Sequence, residues 1–187
     1  MSIQSSDIIK VVLVGPESSG KSTLCVKLAQ HYNALYVEEF VRKYLHDNGA
    51  SYSYNDLTAI ATGQLNEEKK SIEKLAAQSS SHHPRLLFVD TDLYVIKIWS
   101  ELVYNKCAVS ILNALAINDN HLYLLCEPDI PWMADPLREY PDEKSRILHY
   151  HHYKDAMINQ PIEWININGD YEERWQTALN AIDKLLQ

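Results

Sequence analysis

The feature that most constrains this chain is the run at residues 15–22, Gly-Pro-Glu-Ser-Ser-Gly-Lys-Ser, with the spacing G-x-x-x-x-G-K-S. It follows directly on residues 8–14, an apolar run broken by one lysine. Such a run predicts a strand that is buried on both faces. Leu24 and Leu28 then recur at helical spacing. The sequence therefore predicts a strand, a glycine-containing turn and a helix in immediate succession.

Each part of this turn has a physical reason to bind phosphate. Glycines allow successive backbone N–H groups to point inward, and the start of the helix places its positive dipole end under an anion. Lys21 reaches the β- and γ-phosphates of a nucleotide, and the Ser22 hydroxyl is a ligand for Mg²⁺. We therefore predict that ATP and Mg²⁺ bind here. The predicted phosphate-binding residues are Gly15, Glu17, Ser18, Ser19, Gly20, Lys21, Ser22 and Thr23.

Strand-length apolar runs alternate with helical patterns along the chain. The predicted strands are residues 8–14, 34–37, 85–90, 121–126 and 162–167. The predicted helices are 21–32, one that begins at 40, 54–77, 93–104, 108–117, 143–158 and 171–186. This alternation predicts an α/β fold of the P-loop NTPase type, a three-layer α/β/α sandwich around a five-stranded parallel sheet. We expect one domain over residues 1–187, with ligands at the carboxyl ends of the strands.

Composition excludes several classes of function. The net charge is −8, which argues against a broad nucleic-acid footprint. No apolar run is long enough to span a membrane. The three cysteines are widely separated, residues 1–7 show no leader pattern, and the polar run 79–83 is interpreted as a turn. We expect a cytoplasmic protein whose partner is a small-molecule substrate, and no pattern indicates an oligomeric state.

A second acidic position follows the predicted strand 85–90. Asp90 ends that strand, where an acid commonly orients Mg²⁺ or its water ligands. The alternative is that Asp90 caps the next helix, because Asp is also a favoured N-cap residue. Asp92 lies two residues further on and is expected to face the same cleft. We predict Asp90 as a metal ligand and Asp92 as a catalytic and substrate-binding residue.

Two absences distinguish phosphate transfer from hydrolysis. Thr91 stands where many motor ATPases carry a glutamate that polarises water. Residues 105–108, Asn-Lys-Cys-Ala, lack the aspartate with which GTPases recognise guanine. Both absences favour transfer of a phosphoryl group to a bound acceptor over a hydrolytic motor or a GTP switch.

An acceptor hydroxyl needs a carboxylate that orients it or takes its proton. Glu38 and Glu39 follow the second strand, and Arg42 lies three residues after Glu39 on the same helix face. The alternative is a surface ion pair at the start of a helix. We predict Glu39 as the catalytic carboxylate, with Glu38 and Arg42 at the substrate. Tyr54 or Tyr94 is expected to stack on an aromatic base.

Four of the seven prolines punctuate residues 127–142, so this segment is predicted to be a structured loop. We expect a lid at about residues 129–146. Mobile arginines are expected to close over a transferring phosphoryl group, because its charge spreads over the phosphate oxygens. Arg138 is predicted to be that catalytic lid residue. Arg146 fits either a lid role or an exposed position on the following helix.

On these motifs the chain resembles the nicotinamide riboside kinase domain of the bacterial NadR family. The matching stretches are residues 15–22, Glu39-Phe-Val-Arg42, 54–64, Phe88-Val-Asp-Thr-Asp92 and Pro131-Trp-Met-Ala-Asp-Pro-Leu-Arg138. The last stretch is the most specific, because phosphate binding does not require its tryptophan. The resemblance implies ATP-dependent phosphorylation of the 5′-hydroxyl of nicotinamide riboside, which gives nicotinamide mononucleotide.

The resemblance also implies roles for individual residues. It puts Glu39 and Arg42 beside the ribose and Gln64 in the acceptor cleft. It assigns Asp90 and Asp92 to the metal or to substrate hydroxyls. It further implies that the loop at residues 168–171, which includes Asp170 and Tyr171, holds adenine.

One departure and two alternatives belong with this resemblance. Glu38 stands where the family carries an aromatic residue or a proline, so the chain differs at a position next to the substrate. A kinase for another nucleoside or small metabolite is one alternative function. An ATP-binding regulatory module with little turnover is the other.

Overall fold

The five predicted strands pair in one parallel sheet. The structure is a computed structural model that describes residues 8–49, 51–77 and 85–187, so the predicted turn at 79–83 and residues 1–7 lie outside it. The strands are β1 Ile8–Val14, β2 Leu35–Val37, β3 Arg85–Asp90, β4 Leu122–Cys126 and β5 Trp164–Ile167. Their order across the sheet is β2-β3-β1-β4-β5, which puts β1 at the centre.

The helices lie where the apolar periodicity predicts them. They are α1 Lys21–His31, α2 Phe40–Asn48, α3 Tyr54–Ala77, α4 Leu93–Tyr104, α5 Val109–Ala116, α6 Glu143–Ile158 and α7 Tyr171–Leu185. The largest shift in a boundary is at β5, which begins two residues later than predicted. There Ile162 donates its N–H to the side chain of Gln160 at 2.7 Å instead of to a neighbouring strand. No helix within the described residues has an apolar stretch long enough to cross a bilayer.

Alternate residues of the central strand bury against different helix layers. Val11 and Leu13 pack with α1 and α7 on one face of the sheet. Val12 and Val14 pack with α3, α4 and α6 on the other face. Because a strand directs successive side chains to opposite faces, a continuous apolar run is what a sheet covered on both sides requires. The predicted three-layer α/β/α sandwich is confirmed.

Strand register decides which loops meet at the carboxyl edge of the sheet. Leu13 of β1 pairs with Asp90 of β3, and Val37 of β2 pairs with Val89 of β3. Neighbouring strands lie about 4.8 Å apart, so the residues that follow each strand emerge close together. The segment after Val14, the acids after Val37 and Asp90 therefore share one edge.

A buried ion pair lies deeper in the structure, between β1 and α3. Lys10 Nζ lies 3.8 Å from Glu68 Oε2, and both side chains are buried. Lys10 also bonds the carboxylate of Asp119. Glu68 Oε1 is buried and has no hydrogen-bond partner among the described residues. Burial raises the pKa of Glu68 to about 7, although the charge of Lys10 opposes that rise.

This raised pKa predicts a pH-dependent stability. Between the unfolded pKa of 4.5 and the folded value of about 7, the folded protein holds a proton at Glu68 that the unfolded chain has released. The stabilisation that Glu68 contributes is therefore fully present below that range and is lost as the pH rises through it. In urea titrations from about pH 5 to about pH 8, the fall in the free energy of unfolding should be about 2 to 3 kcal/mol smaller in Glu68→Gln than in the wild type. The exposed control Glu73→Gln should retain that fall, and identical pH profiles for the wild type and Glu68→Gln would contradict the prediction.

Candidate active site

The turn between β1 and α1 forms a cradle whose backbone requires glycine. Gly15 has a φ of 139°, and a Cβ atom there would lie 2.4 Å from the carbonyl oxygen of Cys126 on β4. Gly20, at the start of α1, has a φ of 80°. Lys21 Nζ donates to the carbonyl oxygen of Pro16 at 2.7 Å, and Ser19 Oγ donates to the same oxygen at 2.8 Å. The predicted phosphate-binding residues 15–23 all line one cavity.

A buried arginine supports this cradle from behind. The guanidinium of Arg174, on α7, donates to the carbonyl oxygens of Ser19 at 3.0 Å, Glu127 at 2.9 Å and Gly169 at 2.8 Å. It also pairs with the carboxylate of Asp129. The sequence reasoning missed this residue. The sequence does contain a signal for this residue. Position 174 lies on the same helical stripe as the buried residues 178 and 182 of α7, where a charged residue is unexpected.

Ser22 and Asp90 form a candidate Mg²⁺ site. The Ser22 hydroxyl lies in hydrogen-bonding reach of the Asp90 carboxylate, and both side chains line a second cavity beside the cradle. Asp90 Oδ1 is buried and has no hydrogen-bond partner in the described part of the chain. Burial raises the pKa of Asp90, while Lys21 and Ser22 oppose the rise. A hydroxyl and an unpaired carboxylate oxygen beside a phosphate cradle are ligands that Mg²⁺ favours, so the residues fit this ion.

Glu39 and Arg42 lie between the two cavities, because they line both of them. Arg42 Nε is 3.3 Å from Glu39 Oε2, and its NH1 group is 3.0 Å from Asp135 Oδ2 in the 127–142 segment. Burial and the nearby charge of Asp90 raise the pKa of Glu39, whereas Lys21 and Arg42 oppose the rise. The positive charges of Lys21 and Arg42 therefore only partly offset the rise in the pKa of Glu39, which lies close to the cradle.

Aromatic side chains line the same cavity as the cradle. They come from the segment before α3, from α4 and from α6, and they are Tyr52, Trp99, His149 and Tyr153. Burial lowers the pKa of His149 and so favours the neutral form of its ring. The cavity thus joins a phosphate cradle to flat apolar walls that suit a planar ring.

The structure puts the two predicted stacking residues elsewhere. Tyr54 packs edge-on against Tyr104, with the ammonium of Lys106 lying 4.0 Å from its ring centre. Tyr94 packs edge-on against Tyr123. Neither residue lines the two cavities beside the cradle. Sequence reasoning identified aromatic residues of the correct segments but could not choose which ones face inward.

Asp92 also differs from its prediction. Its carboxylate accepts hydrogen bonds from the N–H of Tyr94 at 2.9 Å, the hydroxyl of Tyr123 at 2.6 Å and the side chain of Asn120 at 3.1 Å. It is 4% exposed and is absent from the lining of both cavities. Asp92 is therefore the N-cap of α4 in a buried polar network, which is the role that the sequence had offered for Asp90.

The predicted adenine loop has structural duties of its own. The Asp170 side chain caps α7 by accepting hydrogen bonds from the N–H groups of Glu172 and Glu173. In return, the N–H of Asp170 donates to the side chain of Glu173. Tyr171 is exposed. Asp170 and Tyr171 line neither cavity beside the cradle, so the structure does not bring them together with the cradle.

Two side chains of the cradle hold the 127–142 segment against it. Glu17 Oε2 accepts the N–H groups of Glu139 at 2.9 Å and Tyr140 at 3.1 Å. Ser18 Oγ accepts the N–H of Met133 at 3.0 Å and a guanidinium N–H of Arg138 at 3.4 Å. Arg138 lines both cavities, as expected for a residue over the cradle.

Arg146 and Glu38 complete the predicted positions. Arg146 is buried in α6, where its guanidinium reaches the carbonyl oxygen of Pro128 at 3.4 Å and lies 5.5 Å from the ring of Trp132. The alternative of an exposed helix arginine is therefore wrong. Glu38 is exposed and lines the second cavity but not the aromatic one.

Comparison with known proteins identifies the family of this chain. A family model described as an AAA domain matches residues 10–174. The chain belongs to this AAA domain family.

Two curated relatives of this AAA domain are the trifunctional NAD biosynthesis/regulator proteins NadR of Salmonella typhimurium strain LT2 and Escherichia coli K12. Each is 23% identical over 181 residues, which cover 94% of this chain and 42% of the relative. The chain thus spans less than half the length of these relatives.

Solved structures share the fold of this AAA domain. A NadR protein in complex with NR superposes on this chain with a TM-score of 0.79 and is 20% identical in sequence. The superposition covers 97% of this chain and 50% of the NadR chain. A NadR complex with NAD and AMP-PNP gives 0.72, with the same identity and coverage. Thymidylate kinase from Ehrlichia chaffeensis gives 0.68 at 14% identity, over 94% of this chain and 98% of the other.

The contacts of Glu17 predict how the 127–142 segment of this AAA domain is held. Replacing Glu17 with alanine removes the acceptor for two backbone N–H groups, so the amides of Glu139 and Tyr140 should exchange about tenfold faster. The matched variant Glu17→Gln keeps an acceptor oxygen and should change exchange much less. Hydrogen-exchange mass spectrometry of peptides covering residues 133–142 measures both. Unchanged exchange in Glu17→Ala would contradict the role of this side chain.

Proposed function

We propose that this chain is an ATP-dependent kinase that phosphorylates the 5′-hydroxyl of nicotinamide riboside to form nicotinamide mononucleotide. The observation that carries the proposal is a single cavity lined by the phosphate cradle at residues 15–23, by Glu39 and Arg42, and by the aromatic walls of Tyr52 and Trp99. This cavity offers the cradle to a phosphate donor, flat walls to a planar acceptor, and the carboxylate of Glu39 beside them.

The similarity to NadR proteins supports the choice of acceptor. One of the superposed NadR structures contains NR, and another contains NAD and AMP-PNP. These proteins share the fold of the chain over nearly its whole length. Nicotinamide carries a positive charge in its riboside, and flat aromatic faces attract cations as well as stacking on rings. The walls of the cavity therefore suit this nucleoside.

The proposed reaction assigns a task to each charged group. Lys21 exchanges the carbonyl of Pro16 for the β- and γ-phosphates of ATP. The acceptor oxygen bonds to the γ-phosphorus as the bond to the β–γ bridging oxygen breaks, and the hydroxyl proton passes to Glu39 while ADP departs. Bound Mg²⁺, held by Ser22 and Asp90, would neutralise charge on the phosphate oxygens.

We also propose that residues 129–146 act as a lid within a single domain. Arg138 already bonds Ser18 of the cradle, and Arg42 links the same segment to Glu39 through Asp135. Closure would bring the Arg138 guanidinium to the transferring phosphoryl group and exclude water from the cavity.

The free thiols of the cysteines fit a protein of the cytoplasm, where ATP is abundant. Cys25, Cys107 and Cys126 are all free thiols in the structure. A reducing compartment keeps thiols in this state. We propose the cytoplasm as the site of the reaction.

A kinase for another nucleoside is the second candidate function. The fold of thymidylate kinase from Ehrlichia chaffeensis covers nearly the whole chain, so the same scaffold accommodates a different acceptor. The exposed acid Glu38 lies at the neighbouring cavity and not at the aromatic walls. The aromatic walls suit any flat base, so a nucleoside with a different base would stack on them as well.

A coupled assay of ADP release with ATP and Mg²⁺ tests the proposal directly. Nicotinamide riboside should stimulate ADP release more than thymidine, uridine, cytidine and adenosine do. The matched variant Lys21→Ala should lose at least about 100-fold in kcat, because charge stabilisation at the phosphates is lost. Stimulation by another nucleoside instead would favour the second candidate. Nucleotide binding with no stimulated turnover would favour a regulatory module and overturn the kinase.

Replacing the acceptor-side carboxylate separates its role from nucleotide binding. Glu39→Gln should lower kcat about 100-fold and leave the KM for ATP within about threefold, because general-base catalysis contributes at least that much. Asp47→Asn, an exposed change on the same helix α2, is the matched control and should behave as the wild type. Equal losses in kcat and in ATP affinity would argue against a role at the acceptor.

A further inference from the structure

The side chain of Gln64 joins two parts of the active site at the wall of the cavity that contains the cradle. Gln64 lies on α3 and is 2% exposed. Its Oε1 atom accepts the backbone N–H of Phe40 at 2.9 Å, and its Nε2 group donates to the backbone carbonyl of Thr91 at 3.1 Å. The same amide lies in hydrogen-bonding reach of Glu68. Gln64 thus lines the cavity, where the resemblance implied it would lie, while both of its polar atoms bond to protein groups.

The two backbone groups that Gln64 binds adjoin the two carboxylates of the site. Phe40 directly follows Glu39 and is the first residue of α2. Thr91 directly follows Asp90 at the end of β3. The first N–H groups of a helix have no partner within the helix, and Glu39 provides no side-chain cap for α2. Gln64 therefore supplies the missing cap while it holds the carbonyl beside Asp90.

The backbone at Thr91 needs this support. Its φ is 70°, a left-handed conformation that is unfavourable for a β-branched residue. Two hydrogen bonds hold the residue in place: its N–H donates to the carbonyl of Leu13 at 3.1 Å, and its carbonyl accepts from Gln64. Without the second bond, the residue can relax towards an ordinary conformation and carry Asp90 with it.

A glycine on α3 makes the link to α2 possible. A Cβ atom at Gly63 would lie 2.0 Å from the ring of Phe40, so only glycine lets that ring lie against the helix. This close approach brings the Phe40 N–H within reach of the next side chain along α3. The pair Gly63-Gln64 is therefore the sequence feature that allows a bridge from Phe40 through the Gln64 side chain to Thr91.

We propose that Gln64 is a positioning residue for phosphoryl transfer, which fixes the acceptor-side carboxylate of Glu39 relative to the metal-side carboxylate of Asp90. The inference rests on the proposed kinase function and deepens it, because it assigns the geometry of the reacting groups to a residue whose polar atoms bond to the backbone beside them. Displacing a reacting group by about 1 Å costs about 100-fold in rate. A role of this kind should appear in kcat and in metal-dependent nucleotide binding.

The test compares Gln64→Met, which keeps the length of the side chain and removes both hydrogen bonds, with the wild type and with Leu75→Ala. Leu75 is buried near the end of the same helix, so its variant controls for lost stability. Gln64→Met should lower kcat about 30-fold or more and keep the KM for the acceptor within about threefold. Leu75→Ala should keep kcat near the wild-type value at a temperature where circular dichroism shows both variants folded. Gln64→Asn, which has the same polar groups on a shorter stem, should not restore kcat.

Three outcomes of this kinetic comparison overturn the inference. Wild-type kcat in Gln64→Met means that the bridge does not position the reacting groups. A raised KM for the acceptor at unchanged kcat means that Gln64 binds the acceptor itself. Equal losses of kcat in Gln64→Met and in Leu75→Ala mean a purely structural role.

A second readout separates this inference from the kinase proposal. This readout is the affinity of a fluorescent ATP analogue, measured once with Mg²⁺ and once with EDTA. The measurement requires no acceptor. The gain in affinity from Mg²⁺ should fall about fivefold or more in Gln64→Met, because Asp90 is displaced. If the wild type phosphorylates no nucleoside, the kinase proposal fails while this measurement still tests the bridge. An unchanged Mg²⁺-dependent gain overturns the positioning of Asp90.

Discussion

The guanidinium of Arg174 holds the loops that follow three parallel strands in one place. It binds the carbonyl oxygens of Ser19, Glu127 and Gly169, which come after β1, β4 and β5. A buried guanidinium demands such partners, because an unsatisfied buried charge is costly. One of these bonds holds the carbonyl of Ser19, in the cradle, towards α7. A cradle whose backbone is held in place before a nucleotide arrives needs less rearrangement when it binds phosphate.

The remaining site is built at the same edge of the sheet, from the loops on the other side of β1. Glu39 follows β2 and Asp90 ends β3, and these strands are neighbours. Gln64 ties the backbone beside both carboxylates, while Glu17 ties the 127–142 segment to the cradle. The cradle therefore rests on α1 and α7, whereas the aromatic walls belong to the α4 and α6 layer. The β1 strand is the common base, so phosphate and acceptor groups are supported by different helix layers.

Sequence patterns predicted the elements well because burial on one or two faces leaves a periodic trace. They predicted the site less evenly. Residues 15–23, Glu39 and Arg138 line the cavity, since motif spacing and strand ends define their places. Periodicity could not tell that Tyr54 and Tyr94 pack against other tyrosines. Helix rotation and packing between layers decide which aromatic ring faces the cavity, and such contacts join residues far apart in the chain.

The sequence by itself determined a parallel α/β sandwich with a phosphate cradle at its centre, because glycine spacing, apolar runs and strand-end acids act over short stretches of chain. The tertiary structure decided which acid has an unpaired oxygen. The carboxylate of Asp92 caps α4, whereas Asp90 has a buried oxygen with no hydrogen-bond partner among the described residues. The tertiary structure also committed Gln64 to two backbone groups and gave Arg174 its three carbonyls. These roles depend on hydrogen-bond partners supplied by other elements, which no local pattern records.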